Sequence, residues 1–118
     1  MKNIVVLFLI MNINQTFGQK PPTGTYTYAV KWAEWPNMTG PNVKVVIKKD
    51  SVFVYALDSN MTLSSKGDIL AKGILIFHKK TSQWIIATKL EDKDAPEVGG
   101  CSDGPTIIDF KNKWFWLC

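Results

Sequence analysis

From Gly24 onward the chain consists of short runs that alternate apolar and polar residues or are rich in Val, Ile and aromatic residues, and no stretch keeps helical period beyond two turns. A side-chain period of two places alternate residues on opposite faces of a strand, so this pattern dictates a β-protein. The first strand is expected from about Gly24 to Trp35, with Tyr26, Tyr28, Val30 and Trp32 on one face and Thr25, Thr27 and Lys31 on the other. Pro36, Gly40 and Pro41 then break the chain. Further strands are expected at Val43–Lys48, Ser51–Leu57, Ile69–His78, Trp84–Thr88, Thr106–Phe110 and Lys113–Cys118. That makes an all-β domain of about seven antiparallel strands in a meander, as a small barrel or a curved sandwich.

The connections fall into two kinds. Lys48-Lys49-Asp50-Ser51, Lys79-Lys80-Thr81-Ser82 and Lys111-Asn112-Lys113 are tight, while those at about 36–42, 58–68 and 89–105 are long. In an up-and-down meander alternate connections share an end. The tight end would then carry six lysines against Asp50. The other end would collect Asp58, Asp68, Glu91, Asp92, Asp94, Glu97 and Asp103 against three lysines. Lysines keep hairpin ends soluble; they could also draw the protein to an anionic surface. The acids do not match the twelve-residue calcium loop, which needs Gly at its sixth position, and a solvated loop is the expectation. Ile74 to Phe77 and Trp114 to Leu117 are apolar on both faces, so those strands are either covered by another element or exposed for use.

Ahead of this domain stands an address. Met1-Lys2-Asn3 is a short positive start, Ile4–Met11 is an apolar octet, and Thr16-Phe17-Gly18 offers a small-x-small cleavage site before Gln19. We expect residues 1–18 to be a signal peptide, too short in its apolar part to span a bilayer, and residues 19–118 to be a single exported domain, secreted or periplasmic. All 14 basic residues are lysines. Without Arg, the bidentate reader of guanine edges and phosphates, nucleic acid is not an expected partner. Cys101 and Cys118 make an even pair in an exported chain and are expected to form a disulfide. The rival reading makes Cys101 a nucleophile, for which His78, the single histidine, would have to serve as base.

Little else points to chemistry. No phosphate-cradling glycine loop and no two-histidine metal site is present, and no spacing selects a carboxylate pair for glycoside hydrolysis. His78, beside a lysine turn, is expected at a solvated strand end. We therefore expect no enzyme and no cofactor. The aromatic residues offer more, since Trp and Tyr present flat apolar area with a polar handle. Tyr26, Tyr28, Trp32, Trp35 and Trp84 are the candidate ligand-binding residues, with Trp35 the best placed to be exposed. Asn37-Met38-Thr39 and Asn60-Met61-Thr62 are glycosylation sequons in expected loops.

Gly24-Thr25-Tyr26, opening the first strand after a signal sequence, resembles the Gly-x-Trp start of the lipocalins and their calycin relatives. The consecutive hairpins and the C-terminal Cys118 are similar too. This chain has Tyr26 in place of the Trp, seven expected strands in place of eight, and no Arg to pack over that ring. The resemblance implies a meander barrel with an apolar ligand at its mouth. The functional expectation is a non-catalytic binding module for a small apolar molecule or glycan at the long-loop end. The alternative is an interaction or inhibitor module that uses exposed aromatic strands on an envelope or extracellular protein.

Overall fold

The computed structural model describes residues 19–57 and 66–118. The expected signal peptide, Asp58 and the Asn60 sequon lie outside them. Seven strands form one closed barrel: β1 (Gly24–Trp32), β2 (Thr39–Lys48), β3 (Ser51–Ala56), β4 (Ile69–His78), β5 (Gln83–Ala87), β6 (Thr106–Asp109) and β7 (Trp114–Leu117). Consecutive strands pair antiparallel, as the meander requires. An odd number of alternating strands leaves the first and last pointing the same way, so the barrel closes through a parallel pair, from Ala29 opposite Trp114 to Trp32 opposite Leu117. The choice between barrel and sandwich is settled as a barrel.

Alternation sets what faces inward. Val30, Val43, Val45, Ile47, Val52 and Val54 are fully buried, and Tyr28, Leu75, Ile108 and Phe115 complete the core. Branched aliphatic chains from facing strands fill the interior, as in other small barrels. Gly73 on β4 faces Val52 across the β3–β4 pair. A Cβ there would collide with the Ala87 carbonyl of β5, so only glycine lets the two backbones approach at this corner.

Two boundaries and one connection differ from expectation. β1 ends at Trp32 because two successive turns follow, with Trp35 N–H donating to Trp32 O (3.1 Å) and Met38 N–H to Trp35 O (3.0 Å). β2 begins at Thr39, taking in Gly40 and Pro41. Pairing with β1 slips between Ala29 and Lys31, and β3 pairs only from Val43 onward. Proline, which has no N–H, is tolerated at such an irregularity. Finally, the 89–105 connection contains a short 3₁₀ helix, Leu90–Asp94.

That connection also answers how strands apolar on both faces are accommodated. It leaves β5 at the long-connection end and folds down the outer wall of β4 and β5. Ile85 and Ala87, on the outer face, are fully buried, and Ile107 lies under Gly99, a residue held at φ +61°. On β7 the outward Trp114 and Trp116 pack edge to face, their centroids 6.0 Å apart. Lys31 lies over Trp114, with its Nζ 4.4 Å from the ring centroid.

Candidate functional site

The three tight turns share the end of the barrel where β1 begins. Lys48, Lys49, Lys79, Lys80, Lys111 and Lys113 sit there, and Lys20 pairs with Asp50 at 2.6 Å. The ammonium hydrogen bond from Lys20 holds the Asp50 carboxyl below its ordinary value. Aromatic rings close the barrel at this end. Tyr26, Tyr28, Phe110, Trp84 and Phe77 form a chain of tilted and edge-on contacts with centroids 5.5–6.5 Å apart. The Tyr26 hydroxyl donates to Pro22 O at 2.6 Å. Burial pushes the Tyr28 phenol up to about 12, helped by the neighbouring Tyr26 and Asp109. The buried Trp84 indole N–H has no acceptor among the described residues.

The expected ligand-binding residues are thus divided between two places. Tyr26, Tyr28 and Trp84 belong to the plug at the lysine end. Trp32, packed against the core, and Trp35, 59% exposed, belong to the opposite end. They do not converge on one pocket.

A wide cleft lies where the long connections gather. β5 stops at Ala87, leaving a notch between β4 and β6 that the 89–105 connection roofs. The resulting cleft has a volume of about 740 Å³. Leu70, Ala71 and Ile86 give it an apolar lining, and Glu91, Asp92, Asp94, Glu97 and Asp103 bring carboxylates to it beside Lys72 and Lys89. Asp92 shapes the roof. Its Oδ2 accepts from Thr88 N–H (2.9 Å), Thr88 Oγ1 (3.2 Å) and Lys89 N–H (3.4 Å). These bonds, the Thr88 N–H first, hold its carboxyl below the ordinary value. Sequence reading placed the acids here but not the Leu70–Ala71–Ile86 lining, whose signal was the shortness of β5 beside a longer β4.

The far limb of the roof is pinned by His78, and this corrects an expectation. His78 is fully buried rather than solvated at a strand end. It points outward from β4 into the wall that the 89–105 connection covers. Nε2 lies 2.8 Å from Ala95 O and Nδ1 lies 2.8 Å from Thr81 Oγ1. The Ala95 carbonyl can only accept, so Nε2 donates to it, and Nδ1 lies against the Thr81 hydroxyl. The connection therefore does not simply extend the acidic end: its middle reaches down to the lysine end, where Lys80 Nζ is 3.5 Å from Pro96 O.

The other limb is held by the Cys101–Cys118 disulfide, with S–S 1.94 Å and Cα–Cα 4.9 Å. The bridge leaves Cys101 without the thiol that the nucleophile reading needs. Glu34 Oε1 lies 3.5 Å from Cys101 Sγ and 3.9 Å from Cys118 Sγ. Bridged sulfurs carry no proton to donate and make poor metal ligands, so this exposed trio is a contact only.

Beside the cleft, the β1–β2 connection forms a braced tip. Besides its two turn hydrogen bonds, Lys31, only 8% exposed, donates from Nζ to Pro36 O at 3.0 Å. Asn37 is exposed on this tip. No helix among the described residues is long and apolar enough to cross a membrane. No family model, curated protein or solved structure matches this chain.

Proposed function

We propose that this chain is an exported, non-catalytic binding module whose ligand seats in the cleft at the long-connection end. The observation that carries the reading is the cleft itself, about 740 Å³ with Leu70, Ala71 and Ile86 in its lining and five carboxylates and two lysines around it. Its volume falls in the range of small-molecule sites, roughly 300–1,000 Å³, and its mixture of apolar surface with a few polar groups is typical of them. The apolar lining suits an apolar body or the face of a sugar ring, and the carboxylates suit hydroxyls or a cation. The likeness of Gly24-Thr25-Tyr26 to the lipocalin opening supports a binding role for the barrel. Because branched side chains pack the interior, the ligand belongs at the rim. Export rests on the Met1–Gly18 pattern, and the disulfide is compatible with it. The interaction-module reading is favoured by one separate observation, the exposed Trp35 and Met38 on a braced tip.

The test is the native mass of the protein recovered from its host's export fraction, beside an Ala71→Trp variant that fills the cleft. An adduct that leaves on denaturation and is absent from the folded variant supports the reading. A bare mass, or an adduct the variant retains, overturns it.

A further inference from the structure

Four large apolar side chains are conspicuously exposed among the described residues: Trp35 (59%), Met38 (60%), Ile69 (53%) and Leu90 (66%). They come from two connections and the start of a strand, yet all stand at one end of the barrel, around the mouth that holds the cleft. Trp35 and Met38 sit on the braced β1–β2 tip, Ile69 opens β4, and Leu90 opens the 3₁₀ helix. Chance would scatter such residues over the surface; gathered at one end, they mark an interaction surface. The tip is already in place, because its turn hydrogen bonds and Lys31 hold Trp35 and Pro36, so little ordering cost remains to be met on binding.

Charge selects the partner. Glu34 lies on the tip, and around the cleft Glu91, Asp92, Asp94, Glu97 and Asp103 outnumber Lys72 and Lys89, whereas the opposite end carries six turn lysines. We propose that the long-connection end docks a cationic polypeptide segment, with Trp35, Met38, Ile69 and Leu90 taking its apolar side chains and the cleft taking a basic one. This rests on the binding-module reading and names the class of its ligand. The dipole of the barrel turns the acidic mouth toward such a partner. An anionic membrane would be repelled by the same carboxylates. The lysine end of a second copy has the right charge but, among the described residues, shows no exposed large apolar side chain to meet the tip.

The test uses the oxidised mature protein, a Leu/Lys amphipathic peptide and a Leu/Glu peptide of equal length, with binding read by calorimetry at low and high salt. The Leu/Lys peptide should bind, weaken as salt rises and lose about tenfold or more in affinity to the Trp35→Ser/Met38→Ser double variant, as an aromatic anchor does. The Leu/Glu peptide should not bind, and Lys48→Gln/Lys111→Gln should leave the affinity unchanged. Circular dichroism of each variant checks that the barrel is intact. No binding of the Leu/Lys peptide, equal binding of both peptides, or binding indifferent to Trp35 and Met38 would overturn the proposal. So would Trp35-dependent partition onto phosphatidylcholine vesicles, or head-to-tail association abolished by the lysine substitutions. If the peptide fails while a small adduct still fills the cleft, this inference falls and the binding-module reading stands.

Discussion

At the scale of single residues, burial decides roles that residue type leaves open. His78 was read as a solvated end residue because its neighbours are Lys79 and Lys80, but it faces a wall that a distant connection covers, and nothing local signals that. Lys31 is similar. A lysine on an outward strand position is ordinarily solvated, yet here its stem and ammonium cover Trp114 and reach Pro36. Tyr28 yields a prediction. Its phenol is raised from 10.0 to about 12, so the fold favours the neutral form over the phenolate. The resulting stability is complete below the unfolded value near 10 and is lost as pH rises through the folded value near 12. Alkaline titration followed by phenolate absorbance should contain a component near pH 12 that is missing from Tyr28→Phe. A titration with the same profile in the variant would exclude this assignment.

At the scale of elements, twelve of the fourteen strand boundaries were legible to within one residue because alternation and lysine turns punctuate the chain. The misplaced ends, Trp32 and Thr39, were set by paired hydrogen bonds and a slipped register, which composition does not reveal. The hairpin turns carry a strain of their own. Lys49, Ser82 and Lys113 lie one to a tight turn, at φ 56°, 56° and 60°, in the left-handed region where a Cβ costs roughly 1 kcal/mol. Ser82→Gly and Lys113→Gly should each therefore stabilise the barrel by up to about 1 kcal/mol in denaturant unfolding, since glycine takes that conformation freely. The backbone entropy that glycine adds to the unfolded chain offsets part of the gain. A loss of stability in both would contradict the turn geometry.

At the scale of the whole molecule, the disulfide acts on the longest connection. It closes a separation of 17 residues, for which chain entropy gives about 3 kcal/mol. In a domain of this size that corresponds to a fall in Tm of more than about 10 °C for Cys101→Ser/Cys118→Ser, measurable by calorimetry. A shift of only a degree or two would mean that the connection is held by His78 and the Ile107 contact instead. The sequence by itself determined the all-β meander, the grouping of tight lysine turns against long connections, and the disulfide, because period-two patterning, turn residues and cysteine parity are local or additive signals. Only the tertiary structure decided the rest. An odd strand count closed the sheet through a parallel pair. The 89–105 connection folded down over β4 and β5, burying His78 and roofing a cleft, and the expected aromatic ligand residues were divided between the two ends. Those outcomes depend on which distant surfaces meet, and contacts between segments far apart in the chain leave no pattern in either segment alone.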